Sequence, residues 1–279
     1  AGDLRVLFGN IAKKVNMDID LISPIWTKRP ALPKNKIEVY PEEYSGESTT
    51  ARTDRIMNNV EAHGGKPLFL SALDEIAWAL NLRAYANLSR EGSKLFGNQD
   101  KVTEEVREAM KAANVIIEDY DSAEISTLKA ESCDYNPIQL MKGIKNQVEI
   151  EGFRNAMLKD GIALTRFYHW LDNNLKSEGE FVINADGSFG ISNEVTEMDC
   201  VNKLIEFRKE QPLYREESFD AVVAWNAHAA LPHFETCDES NVPITGDGLL
   251  LIDTGGQYLD GTTDITRTIV VGPLTEEEK

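Results

Sequence analysis

The stretch GLLLIDTGGQYLDGTTDITRT, residues 248–268, sets two aspartates, Asp253 and Asp264, among apolar and β-prone residues. An apolar run into Asp-Thr-Gly marks an aspartic protease half-site. That chemistry needs two carboxylates sharing one proton, supplied by two such lobes or by a dimer of small β domains. Only one Asp-Thr-Gly is present, and long helical patterns upstream do not belong to an all-β fold. A metal-ligand reading asks instead for hard oxygen donors on a rigid scaffold.

Two strands, 249–259 and 262–271, joined through Asp260-Gly261, would supply that scaffold. An Asp-Gly pair is a strong two-residue turn signal. Pairing across it places Asp264 opposite Gln257 and on the same face as Asp253. Four residues of offset then leave about 13 Å between the carboxylate positions in a flat hairpin. A bulge or sharp twist at Gly255-Gly256 would have to close that gap. From spacing alone, Asp253 as a strand end and Asp264 as a turn residue remains an equal alternative.

The wider chain sets limits. Its 279 residues suit two domains, and 47 acidic against 29 basic residues give a formal charge of −18. Such acidity argues against nucleic acid or an anionic membrane as partner. Cys133, Cys200 and Cys237 are widely spaced, with no C-x-x-C pair, which implies isolated thiols rather than disulfides or a zinc cluster. No leader-like N-terminus and no apolar run of membrane-spanning length is seen, so a cytoplasmic setting is expected.

Residues 1–45 end in a linker-like path through Pro30 and Pro33. Between 46 and 134, helix and strand patterns alternate. Ser48 would cap a helix through Glu61, "PLFLS" and "SKLF" read as strands, "ALDEIAWALNL" and "VTEEVREAMKAAN" as helices, and "VIIEDY" as another strand. This implies an α/β domain on a mostly parallel or mixed sheet. Asp74, Glu75 and Trp78 read as a helix start and a packed aromatic.

From 135 to 279 the order is helices first, then strands, an α+β arrangement. Ile150, Phe153, Met157, Leu164, Phe167 and Leu171 form the apolar stripe of a long helix that also carries His169. Thr196 and Asp199 resemble a capping box, ahead of a stripe of Met198, Val201, Leu204 and Ile205. "FVINADGSFGIS" suggests a surface hairpin, and "SFDAVVAW" another strand.

The hairpin resembles the metal-binding hairpin of the Xaa-Pro aminopeptidases (aminopeptidase P), in the creatinase/methionine-aminopeptidase "pita-bread" superfamily. "IWTKRPALP", "ALDEIAWALNLR", "NPIQLMKGIKNQVEIEGFRNAMLKDGIAL", "VTEMDCVNKLIEFR" and "AALPHFET" resemble segments of the long, three-domain form in the same order. The resemblance implies a creatinase N-terminal-like α/β domain followed by the N-terminal half of a pita-bread catalytic domain. It makes Asp253 and Asp264 ligands of a dinuclear, manganese-type site, with Asp264 bridging. His233 matches the family's histidine beside the substrate, and His228 matches no catalytic position and is read as structural.

The implied reaction is attack of a metal-bridged hydroxide on the first peptide carbonyl of substrates with proline second. An X-Pro bond has no N–H to grasp, and the family is built for the ring instead. A homodimer is implied as well. A non-catalytic pita-bread binding module and a metal-free creatinase-like hydrolase are the alternatives, and neither has reason to keep both aspartates. In the family the site also takes one histidine and two glutamates downstream of the hairpin, and this chain stops at "PLTEEEK" before any of them. Most of a first domain would precede Ala1, and the middle domain is compressed after Arg83.

Overall fold

The computed structural model describes residues 24–28, 35–65, 68–80, 82, 85–88, 93–119, 136–175, 180–183, 189–192, 195–273 and 276. Cys133, the residues before Pro24 and the turn of the 180–192 hairpin lie outside them. Cys200 and Cys237 are free thiols.

The first layered unit begins at α1 (Glu42–Ser45) and α2 (Thr49–Ala62). Ser48 caps α2 by accepting from the Ala51 N–H at 3.2 Å, and Ile56 and Val60 turn inward as their spacing requires. Next come β1 (Leu68–Leu70), α3 (Leu73–Leu80), β2 (Tyr85–Leu88), β3 (Ser93–Gly97), α4 (Glu104–Ala112) and β4 (Val115–Asp119). The sheet runs β1-β2-β3-β4, antiparallel except for the β3–β4 pair, so it is mixed. Strand β2 was not expected from the sequence. Ile56, Ile76, Leu80, Leu95 and Val106 close the core between helices and sheet.

Helix α5 (Pro137–Gly143) lies against this unit, with Ile138 in the same core. Asn136 caps it and also donates to Glu75 Oε1 at 2.6 Å, so Glu75 does more than favour a helix start. Trp78 packs under Arg52, 4.7 Å from guanidinium carbon to ring centre.

Helix α6 (Gln147–Leu175) spans 29 residues, as the apolar pattern requires, but its buried side differs from expectation in the first half. Leu164, Phe167 and Leu171 are buried, whereas Phe153 and Met157 are exposed and Gly152, Ala156, Lys159 and Asp160 face inward. The cause is a close backbone approach: a Cβ on Gly152 would stand 2.1 Å from the Asp260 carbonyl oxygen. Only small side chains fit there, so the large apolar ones turn away. His169 sits on the exposed side of the helix and pairs with Asn173 at 3.1 Å, consistent with a structural role.

After β5 (Glu180–Ile183) and β6 (Phe189–Ser192), which pair as the expected hairpin, α7 (Glu197–Lys209) opens with the capping box of Thr196 and Asp199. Its buried stripe is Glu197, Cys200, Leu204 and Arg208, two of them charged, in place of the expected Met198, Val201 and Ile205 beside Leu204. Then follow β7 (Tyr214–Glu217), β8 (Val222–Trp225), a 3-10 turn (Asn226–Ala230), β9 (Gly248–Thr254), β10 (Gly256–Tyr258), β11 (Gly261–Thr262) and β12 (Ile265–Val271). They form two small antiparallel sheets, β12-β9-β8 and β11-β10-β7. Helices α6 and α7 cover the first through Phe167, Leu204, Val223, Leu250 and Ile252.

Candidate metal centre

The paired aspartates sit where one hairpin passes between the two small sheets. β9 alternates strictly: Leu250, Ile252 and Thr254 point into the core and Leu251 and Asp253 point away. The observed register is Asp253 opposite Thr266 and Gln257 opposite Thr262, with Leu259-Asp260 as the two-residue turn. The expected turn at Asp260-Gly261 is therefore displaced by one residue. Asp260 is drawn into the turn by Lys159, whose Nζ donates to Oδ1 at 2.5 Å.

That displacement removes the distance problem. Asp264 lies two residues before Thr266, the partner of Asp253, so the aspartates are diagonal neighbours on one face. Such positions are about 7–8 Å apart between Cα atoms, with Cβ atoms somewhat nearer. No residue is inserted, because Thr263 continues the same register by donating its N–H to the Gly256 carbonyl at 3.0 Å. Gly255 does not bulge the strand but lets it pass from one sheet to the next. A Cβ there would stand 2.0 Å from the Thr263 carbonyl oxygen and 2.4 Å from Ser218 Oγ. Gly255→Ala is expected to cost about 1–3 kcal/mol as overpacking, read from the urea midpoint.

Thr266 Oγ1 donates to Asp253 Oδ1 at 2.7 Å, and among the described residues the other oxygen accepts no hydrogen bond. Asp264 is exposed. These donors suit a hard divalent ion in kind. Their number makes one edge of a site: among the described residues no three His, Cys, Asp or Glu side chains converge to hold a metal. Each manganese ion wants about six ligands.

His233 is exposed and follows the 3-10 turn at a positive φ of 55°. It is a loop residue, outside any strand. Three residues on, Thr236 Oγ1 bonds both the N–H and the carbonyl of Val223, at 2.8 and 3.0 Å. Val222 pairs with Asp253, so the loop returns toward the aspartate end of the sheet. Among the described residues, no hydrogen bond or ion pair joins His233 to either aspartate.

His228, read as structural, proves to be a staple. Its Nδ1 lies 2.9 Å from Oε1 of the fully buried Glu197, which also accepts the Trp225 N–H at 2.7 Å. The ring stacks on Phe234 at 4.3 Å, next to His233. The buried Glu197 thus anchors the loop that carries His233, a role that no spacing in the sequence signals.

Behind the aspartates lies a second group of residues that sequence reasoning missed. Arg208 and Asp160 are both 0% exposed and form an ion pair at 2.6 Å. Arg208 Nη1 also reaches Glu217 and donates to Thr254 Oγ1 at 2.6 Å. Tyr258 and Thr263 donate to Asp160 at 3.2 and 2.8 Å. Burial lifts the Glu217 carboxyl above its ordinary value, against the opposing pull of Arg208 and Tyr214. A group raised in the folded state favours folding at low pH, and that contribution is lost as pH climbs through its folded value. Glu217→Gln is expected to flatten this decline, measured as the urea midpoint between about pH 4 and pH 7.

Residues 28–134 match the Creatinase/Prolidase N-terminal domain model, and residues 151–279 match Metallopeptidase family M24. A probable Xaa-Pro aminopeptidase P of Arthroderma benhamiae is 31% identical, over 95% of this chain and 43% of its own length. Aminopeptidase P2 of Arabidopsis thaliana is 28% identical, over 94% and 44%. The chain thus spans less than half the length of these curated relatives. An X-prolyl aminopeptidase from Caenorhabditis elegans, described as a cytosolic enzyme with a di-nuclear active site, superposes with a TM-score of 0.83 at 23% identity. The match covers 99% of this chain and 50% of that one. The prolidase from Pyrococcus horikoshii superposes at 0.58 with 18% identity, over 81% and 67%. These likenesses fix the fold as a creatinase-type mixed α/β domain followed by half of a pita-bread domain. The chain thus carries a match to a creatinase/prolidase N-terminal domain followed by a match to the M24 metallopeptidase family, and its curated relatives of similar sequence are named Xaa-Pro aminopeptidases.

Proposed function

We propose that these residues belong to a metal-dependent aminopeptidase that releases the first residue from peptides with proline in second position. The observation that supports this reading is the register of the hairpin, with Asp253 opposite Thr266 and Asp264 two residues before it, diagonal positions on one face. The M24 match of residues 151–279 and the di-nuclear active site described for the nematode enzyme support it.

Asp253 and Asp264 would be among the residues that hold two divalent ions, manganese by resemblance. When bound, such ions acidify water and polarise the scissile carbonyl. The chain's own residues do the rest of what can be assigned. Thr266 fixes one oxygen of Asp253 and so orients the other. His233, on its stapled loop, would donate to the developing oxyanion or handle its proton.

Peptides are the expected partners, and the strong net negative charge disfavours nucleic acid. Among the described residues no helix is long and apolar enough to cross a membrane. A cytoplasmic homodimer is the arrangement this reading implies.

The test is release of the first residue from a short X-Pro peptide by the full-length gene product, with and without manganese. Turnover that disappears on chelation and returns with the metal is expected. Activity indifferent to chelation would favour a metal-free hydrolase, and peptide binding without turnover would favour a binding module. The 279-residue chain alone is expected to show no turnover, because two carboxylates do not complete a site for two ions.

A further inference from the structure

We infer that the buried ring of Asp160, Arg208, Thr254 and Thr263 is a positioning device that fixes the spacing of Asp253 and Asp264. The inference rests on the metal reading of those two aspartates and names what holds them in place.

Three side-chain bonds link the four residues, and the backbone from Thr254 to the Gly256 N–H, which donates to Thr263 Oγ1, closes the ring. Arg208 donates to Thr254 Oγ1 at 2.6 Å and to Asp160 Oδ1 at 2.6 Å, and Thr263 Oγ1 donates to Asp160 Oδ2 at 2.8 Å. Thr254 follows Asp253 and Thr263 precedes Asp264. Because side chains alternate across an extended backbone, holding each threonine in the core turns the neighbouring aspartate outward. The burial pattern agrees: Thr254 and Thr263 are 0% and 1% exposed, while Asp253 is half-buried and Asp264 exposed.

The ring thus ties the two aspartate-bearing segments to a common anchor. Helix α6 supplies Asp160 and helix α7 supplies Arg208, so the spacing is referred to the two longest helices of this half. The backbone alone would hold it less well, because the β ladder is interrupted between Thr254 and Gly256. There the Gly256 N–H turns to Thr263 Oγ1, at 2.9 Å. Valine would fill the space of either threonine equally well, yet both positions keep a hydroxyl that the ring consumes. A buried ion pair is a poor source of net stability, since apolar residues of similar volume often do as well or better. Its value here lies in directionality: the bidentate guanidinium accepts one geometry only.

The test compares Thr254→Val and Thr263→Val, which keep shape and lose the hydroxyl, with Thr254→Ser and Thr263→Ser, which keep it. Manganese affinity of the full-length gene product is read from the electron paramagnetic resonance signal of the free ion, beside urea unfolding of each variant. The valine variants are expected to unfold cooperatively and to bind manganese about 10–100-fold more weakly, the usual cost of removing a group that supports a ligand. The serine variants should bind as the parent does. Valine variants that bind like the parent would overturn the inference and leave the metal reading standing. A parent whose manganese binding is absent, or unaffected by Asp253→Asn, would overturn the metal reading and this inference with it. If Thr263→Val fails to fold, Thr254→Val carries the same comparison.

Discussion

Asp264→Asn is expected to abolish manganese-dependent release of the first residue from an X-Pro peptide while leaving the fold intact. Asp264 is exposed, so its amide replaces nothing in the core. Surface substitutions of that kind usually shift stability by less than about 0.5 kcal/mol. Its chemistry is a different matter. A carboxylate placed between two cations neutralises charge and offers an oxygen to each, and an amide offers one neutral oxygen. Groups that merely support a ligand cost about 10–100-fold when removed, so loss of the ligand itself should exceed a hundredfold. Asp253→Asn should behave alike with one difference. Asp253 accepts from Thr266 Oγ1, and asparagine can keep that bond, so only the metal-facing oxygen is affected. Steady-state rates against manganese concentration, beside a urea transition, separate the two effects. Unchanged kcat/KM in either variant would remove the aspartates from the site.

Arg208→Leu is expected to destabilise the protein by about 3–5 kcal/mol, the range for breaking a buried ion pair from one side. The side chain is fully buried, and its loss strands Asp160, also fully buried, with Tyr258 and Thr263 as its remaining side-chain donors among the described residues. Glu217 suffers less, since burial already lifts its carboxyl and it can take up a proton. Adding Asp160→Leu to Arg208→Leu should return much of the loss, because no unpaired charge then remains. At a urea slope of about 2 kcal/mol per molar, the single variant's midpoint should fall by roughly 2 M. A fall of less than about 0.5 M would mean that water reaches the pair and the ring is not closed. The double variant also separates stability from placement: it should refold well and still bind manganese poorly.

What the sequence made legible followed from periodicity and from motifs. Ile56 and Val60 lie inside because their four-residue spacing allows nothing else, and the Thr196–Asp199 box starts its helix as read. The two aspartates were legible as a pair for the same reason, since the hairpin motif carries both. Their register was not. Asp260-Gly261 has the composition of a turn, yet the turn moved to Leu259-Asp260 because Lys159 and the close approach of Gly152 hold Asp260 from another helix. No local rule reports a contact 101 residues away.

Buried polar residues escaped for a related reason. Glu197, Arg208 and Asp160 occupy inward positions of their helices, where an apolar pattern is sought and a charged residue is assigned to solvent. Phe153 and Met157 were misplaced by the mirror image of that error: they are apolar, at helical spacing, and excluded from the interior because only Gly152 and Ala156 fit against the hairpin backbone. Strands β2 and β7 went unseen because each is short and carries polar residues, "YANL" and "YREE".

The most direct test of the account is anomalous diffraction at the manganese edge from crystals of the full-length gene product grown with the metal. Two peaks about 3.5–4 Å apart, with an oxygen of Asp264 near each and Asp253 on one, are the expected result. Ordered manganese elsewhere, with both aspartates free of it, would contradict the assignment of this hairpin as a metal centre.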